Sequence, residues 1–319
     1  MFSGQPLIRF AIVTTLLLAR EILSGNLNVK RVNLKKGIYL LLHFPEHINV
    51  LRIFNHPSIK NLLIEHPKLV YKYLDQYASL NLSTESRQAL LLAHYEFVQA
   101  RLAAPFLSLI ASSKIEVWNR RSGEENISIE LDFPATFHAE GDLCLTLQSN
   151  GKPIYRIALI IGHGGVFSLD RDDVIFISCV QGLIQLSRVN EVTSACGDIH
   201  PTHLLMAAVA GIADAFQIRS ALGVRTRNQI ANKGKFYFSY DAFFENYGCL
   251  LPDESAYIIQ LPFPQKDLAT VKSNHRNRTR QKRDIRRNVG INVSTCISRY
   301  VAASGTNRIA HTVEVSEPP

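Results

Sequence analysis

The sequence predicts an α+β fold. An N-terminal helical region precedes a mixed, largely antiparallel sheet with a buried crossover helix at its centre. Three observations carry this. Apolar residues recur at helical spacing up to about residue 115; beyond it the period becomes two; and one segment within the strand-rich part, residues 204–210, is apolar on every face. The chain has 319 residues, 46% hydrophobic and 19% charged, enough to bury a sizeable core. That composition excludes disordered, collagenous and disulfide-scaffold classes. The organisation expected is a helical region over 1–115, an α/β core over 116–300 with a basic helix at 272–287, and a loose tail over 301–319.

The elements follow in order. Residues 10–19 form an apolar run of ten between Arg9 and Arg20. It is too short to span a bilayer, which leaves a packed helix, an interfacial helix or a cleaved signal, the first preferred. No later window reaches spanning length without charges. His56-Pro57 and His66-Pro67 break the helical region, because proline disfavours helix in the residue before it. Leu69, Val70, Tyr73, Leu74 and Tyr77 recur at helical spacing. Ser83 or Thr84 caps the next helix, which should turn Ala89, Leu92, Ala93, Phe97 and Leu102 inward.

Strands then begin at Ile115 and Val117 and again at Ile127, Ile129 and Leu131. Leu143, Leu145 and Leu147 alternate with Asp142, Cys144 and Thr146. Asn150-Gly151 is a hairpin turn, and residues 154–160 return from it. Residues 174–180 are continuously apolar, as in a strand buried on both faces. Pro201 suits the first turn of the central helix. A strand at 219–224 then completes a strand–helix–strand crossover. Shorter strands are expected at 235–239 and 258–261.

Charge is concentrated. Residues 272–287 hold Lys272, Arg276, Arg278, Arg280, Lys282, Arg283, Arg286 and Arg287 against one acid, Asp284, and so carry seven of the eight net positive charges. A local anion-binding surface follows, with lipid headgroups, nucleic acid or an acidic protein as partners, or a solvated face with none. On a helix, Arg276, Arg280, Arg283 and Arg287 fall near one face.

Chemical motifs are sparse. Five widely spaced cysteines with no CxxC pair fit reduced thiols. Neither G-x-S-x-G, G-x-G-x-x-G nor a phosphate-loop signature is present. Gly162-His163-Gly164-Gly165 is an inter-strand loop. His200 and His203 could face one metal, but no motif supplies further ligands, so no metal site is expected. The aromatic stretch 236–247, with Asp241 and Glu245 in it, lines a pocket or packs a seam.

Together these stretches resemble the VirK/YbjX family of enteric and related bacteria. The resemblance rests on His66-Pro67-x-Leu69, His94-Tyr95-Glu96-Phe97, Glu140-Gly141-Asp142-Leu143 and residues 177–182. It continues through Tyr240-Asp241-x-Phe243-Phe244-Glu245-x-x-Gly248 and the stretch from Leu261-Pro262 to Lys272-Ser273-x-x-Arg276. It covers roughly residues 45–290. The chain departs from the family pattern at His200, Asn274-His275 and Phe244, where that pattern has arginine, a lysine pair and tryptophan.

The resemblance implies a virulence-associated accessory protein, needed for expression or correct placement of an outer-membrane virulence factor. Its partner would be that client or another envelope component, with anionic lipid as a further contact, and it would lie in the cytoplasm or peripherally on the inner membrane. It implies no catalytic residue. The element order also resembles an N-acetyltransferase-like core. That alternative implies an acyl-CoA cofactor and an acyl-transfer reaction, although the glycine-bearing phosphate signature of that class is not visible between Gly182 and His200. Pocket candidates on either reading are Glu140, Gln181, Gly182, His200, Tyr240, Asp241 and Glu245. A nucleic-acid-binding regulator is the third alternative, supported by charge alone.

Overall fold

A computed structural model describes residues 27–134, 139–170, 172–231 and 238–302. The expected strand at 235–239 lies largely outside the described residues. The apolar run at 10–19 and nearly all of the tail lie outside them too.

Helices come first: α1 (Leu27–Leu42), α2 (Phe44–Phe54), α3 (Lys60–Glu65), a 3-10 turn (Pro67–Leu74), α4 (Thr84–Arg101) and α5 (Ala104–Ser112). Proline 67 closes α3 and opens the 3-10 turn, where the expected regular helix tightens into a shorter element. Ser83 caps α4, its hydroxyl accepting from the Ser86 N–H. The buried face of α4 is Leu90, Leu91, His94, Tyr95 and Val98, together with Ala93 and Phe97, whereas Ala89 is exposed. The inward stripe is thus rotated from the expected one, because two polar residues, His94 and the Tyr95 hydroxyl, find partners inside.

The strands are β1 (Ile115–Ser122), β2 (Glu125–Asp132), β3 (Leu143–Ser149), β4 (Lys152–His163), β5 (Asp173–Gly182), β6 (Ser220–Val224), β7 (Cys249–Leu250) and β8 (Ala256–Gln260). They form one mixed sheet in the order β1-β2-β3-β4-β5-β6-β8-β7, in which β5 and β6 are the parallel pair. Asn150 and Gly151 turn β3 into β4 with positive φ at both residues, as a two-residue hairpin requires. All seven residues of β3 and seven of the ten in β5 are buried, so both sheet faces are covered there.

The crossover from β5 to β6 contains two helices, α6 (Leu186–Ala195), which the sequence reading did not anticipate, and α7 (Pro201–Phe216). Helix α7 is the buried central helix, with Leu204, Leu205, Ala208 and Val209 fully enclosed. A short α8 (Tyr240–Phe244) follows β6. The basic helix, α9 (Ser273–Ser298), runs eleven residues past the expected end at 287. Its second half carries Val289, Val293 and Ile297 inward, against α7 and β1. The two helices touch backbone to backbone: a Cβ at Gly211 would stand 2.5 Å from the Gly290 carbonyl oxygen.

The helical region is tied to the sheet by a buried polar network. Lys72 Nζ donates to Asp142 Oδ1 and to the Gly141 carbonyl, each at 2.7 Å. Tyr95 donates to the same carboxylate at 3.0 Å, and Tyr77 donates to its other oxygen. The side chains of Lys72 and Asp142 are 1% and 0% exposed. A buried charge is tolerable only when paired and fully hydrogen-bonded, and here three donors, Lys72, Tyr77 and Tyr95, surround one carboxylate.

Candidate functional site

The sequence-derived pocket residues fall into three places. Glu140 and Tyr240 share the first. Glu140 is buried and accepts from Gln229 Nε2 at 2.6 Å. The Tyr240 hydroxyl lies 3.9 Å from Cys179 Sγ. Burial pushes the Cys179 thiol and the Tyr240 phenol well above their usual values, so both are neutral hydrogen-bonding groups at pH 7.

Tyr240 also answers a backbone question. The β5–β6 ladder ends at Ile177 and Gly223, yet β5 continues to Gly182. Beyond the ladder, the Tyr240 hydroxyl donates to the Val180 carbonyl at 3.0 Å and accepts from the Val180 N–H at 3.2 Å. One turn later on α8, Phe244 covers Gly223, where an added Cβ would meet its ring at 2.5 Å. Tyr240 and Phe244 therefore seal the gap where the parallel strands part. The Phe244 departure from the family pattern is a core position.

The second place joins Gln181, Gly182 and His200 around Tyr155. Gln181 accepts from Arg156 Nε at 3.0 Å across the β4–β5 pair. The Tyr155 ring covers Gly182 and meets His200 edge-on, with centroids 5.3 Å apart. His200 is the N-cap of α7, its Nδ1 accepting from the Thr202 N–H at 3.3 Å. This departure from the family pattern thus has a structural use. The third place holds Asp241, 3.2 Å from Arg225 Nε, and Glu245, which accepts from Tyr257 at 3.3 Å. These two face a polar surface around Glu254 rather than the buried Glu140–Tyr240 cluster.

A cavity of about 640 Å³ opens between α7, the segment 262–271 and α9. Its volume falls in the range of small-molecule sites. Ala207, Ala210, Gly211, Phe263 and Ile291 give it an apolar lining. Lys266, Arg283, Arg286 and Arg287 also line it, and no carboxylate among the described residues lies within ion-pair distance of these four. Asp214 lines it as well, its carboxylate accepting from Ser294 at 2.7 Å, so the lining sets one acidic side chain against four basic ones.

The segment 262–271 is strapped to α9. Arg276 donates to the Val271 and Ala269 carbonyls at 2.8 and 3.0 Å, and Arg283 to the Lys266 carbonyl at 2.5 Å. At the α7 end, His203 Nδ1 bonds the Tyr247 hydroxyl. His203 is pushed down to about 4, chiefly by burial and then by the positive charges of Arg286, His200 and Lys282. Charges on the basic helix thus act, after burial, on a side chain that lines the cavity. Arg278 is the basic residue of this run with a carboxylate partner, Asp198 at 2.6 Å, and Lys282 donates to the Asp198 carbonyl. Lys272 sits at the N-cap of α9, and Arg280 projects from its exposed side.

Sequence reasoning found the arginines but not the cavity, nor Lys266 in it. Lys266 lies in an irregular stretch with no periodic signal, and the cavity lies beside the point where Gly211 lets two helices distant in sequence touch. Among the described residues, no three His, Cys, Asp or Glu side chains are grouped to hold a metal, and no helix is long and apolar enough to cross a membrane.

The profile of a family described as a protein of unknown function (DUF535) matches residues 28–289. The chain belongs to that family. DUF535 is the VirK/YbjX family that the sequence motifs resemble. The uncharacterized protein YbjX of Escherichia coli (strain K12) is 23% identical over 240 residues, covering 71% of each chain. No solved structure matches. Several motifs that carry the DUF535 resemblance now have structural explanations: Tyr95, Gly141 and Asp142 build the buried network, and Tyr240 and Phe244 seal the sheet.

Proposed function

We propose that this DUF535 protein is a non-enzymatic accessory factor of the bacterial envelope. It acts on the cytoplasmic face of the inner membrane and helps a surface virulence protein to be expressed or correctly placed. The virulence role rests on the resemblance to the VirK/YbjX family. One observation supports the membrane contact: α9 and its N-cap Lys272 present eight basic residues over 272–287, and among the described residues one of them is neutralised by a carboxylate. Several others bind backbone carbonyls, which fixes their positions and leaves the charge uncompensated. Such a surface attracts anionic lipid at about 1 kcal/mol per basic residue near the bilayer.

The test is vesicle flotation with and without anionic phospholipid. The protein should float with anionic vesicles alone, and R278E/R280E, which reverses two exposed charges outside the cavity, should remain at the bottom while still unfolding cooperatively, the exposed Arg278–Asp198 pair it breaks being worth about 1 kcal/mol at most. Equal flotation of the variant would sink the membrane reading.

The acyltransferase reading has one observation in its favour, a mixed sheet with a parallel pair joined by a helical crossover. Against it, the backbone groups of Val180 at the parted strands are taken by Tyr240. A thermal shift with acetyl-CoA or a longer acyl-CoA that Y240F enhances would favour that reading.

A further inference from the structure

We propose that the cavity between α7, α9 and the segment 262–271 holds one anionic phospholipid molecule, with its phosphate on Lys266, Arg286 and Arg287 and its hydrocarbon chain along α7. The inference deepens the proposed function, on which its membrane setting rests, and it assigns a defined single-molecule site where that reading needs only a charged surface.

Charge complementarity is the first argument. Three arginines and a lysine line one cavity against a single carboxylate, Asp214, and none of the four is within ion-pair distance of a carboxylate among the described residues. Arginine forks bind phosphate oxygens in pairs, and such charge-assisted bonds are the strong ones. Arg283 is already held by the Lys266 carbonyl, so it positions the segment that carries the Lys266 ammonium.

Shape is the second argument. Ala207, Ala210 and Gly211 expose little beyond backbone and methyl groups, and Phe263 and Ile291 wall the same space. A slot floored by small residues suits a methylene chain better than a purine or nicotinamide ring, and each buried CH₂ adds to affinity.

The probes are water-soluble dioctanoyl phosphatidic acid, dioctanoyl phosphatidylcholine, inorganic phosphate and octanoyl-CoA, each titrated by calorimetry into the full chain below its micelle concentration. Dioctanoyl phosphatidic acid should bind at least about tenfold more tightly than inorganic phosphate, because the chain adds apolar burial. R286E/R287E should weaken it by about tenfold or more. A210F, which fills the floor and leaves every charge in place, should weaken phosphatidic acid and leave inorganic phosphate unchanged.

Binding that A210F does not alter overturns the proposal, since the chain then lies elsewhere. So does equal affinity for inorganic phosphate, for phosphatidylcholine, or for octanoyl-CoA, the last pointing to a cofactor instead. If wild-type protein floats with anionic vesicles and R278E/R280E does not, but none of the soluble lipids binds, the surface reading stands and this one fails. Should soluble phosphatidic acid bind as described while flotation fails, the proposed membrane role falls and the lipid site remains.

Discussion

At the scale of single residues, the chain keeps ionisable groups in its interior in defined charge states. Asp142 is the centre of the network linking the helices to the sheet. Burial alone would raise its carboxyl, but the Lys72 charge and the hydrogen bonds from Lys72 and Tyr77 outweigh that and hold it below its usual 3.8. A depressed carboxylate stabilises the fold above its unfolded pKa, and that contribution is lost as pH falls below about 4. Removing Lys72 with K72M strands the carboxylate and should cost about 3 to 5 kcal/mol in urea unfolding, whereas K72M/D142L should recover part of the loss.

Buried histidines act with the same sign, since they too bind fewer protons folded than unfolded, but over a higher pH window. His47, whose Nδ1 bonds Tyr73 at 2.9 Å, is pushed down to about 4 by burial. His94, which accepts from the Ile161 N–H at 3.1 Å, is lowered too, by burial first. Each is neutral when folded but binds a proton below about 6.5 when unfolded, so stability falls as pH drops from 6.5 toward 4. H47Q should flatten that slope by up to about 1.4 kcal/mol per pH unit, read from urea midpoints at pH 7, 6 and 5. None of this was legible locally. Lys72 stands among tyrosines with its partner seventy residues away, and a lysine in that setting reads as an exposed residue.

At the scale of elements, two glycines make opposite predictions. A Cβ at Gly211 would meet the Gly290 carbonyl at 2.5 Å and Val293 at 2.8 Å, both part of the facing helix. A Cβ at Gly290 would meet the Ala207 carbonyl at 3.4 Å, an ordinary contact. G211A should therefore destabilise by about 1 to 3 kcal/mol through overpacking, despite alanine's better helix propensity. G290A should be neutral or stabilising by up to about 1 kcal/mol. Differential scanning calorimetry of the two variants checks both, and equal shifts would mean the helices do not cross there.

The same elements show what periodicity can reveal. The β3–β4 hairpin and the buried α7 were legible, because Asn150-Gly151 and an all-apolar heptad each have one good structural solution. The second half of α9 was missed even though Val289, Val293 and Ile297 recur every four residues. Charge marks the first half so strongly that the end of the basic run was taken for the end of the helix. Three of the pocket candidates, Tyr240, Asp241 and Glu245, stand together in the aromatic stretch 236–247, yet Asp241 is part-exposed while Tyr240, its neighbour, is buried. Adjacent residues on a short helix point apart, so clustering in sequence did not become clustering in space.

For the whole molecule, the distribution of charge matters more than its total. Seven of eight net positive charges lie on one helical stretch, so the rest of the surface is nearly balanced. On the proposed membrane role, such a chain would approach an anionic bilayer with α9 leading, and that attraction would be screened by salt. The Debye length falls from about 10 Å at 0.1 M to about 3 Å at 1 M. Surface attraction by α9 should therefore fade over that range, and R278E/R280E should differ from wild type at 0.1 M salt and match it at 1 M. A lipid seated in the cavity behaves differently, because its chain is held by apolar burial that salt does not weaken. Dioctanoyl phosphatidic acid should lose part of its affinity over the same range and retain the part that A210F removes. Measuring flotation and calorimetric affinity on one salt series separates the two contacts. If both collapse together, charge alone holds the lipid and the cavity contributes no apolar contact. If flotation persists unchanged at 1 M, apolar contact rather than the basic helix carries the membrane attachment.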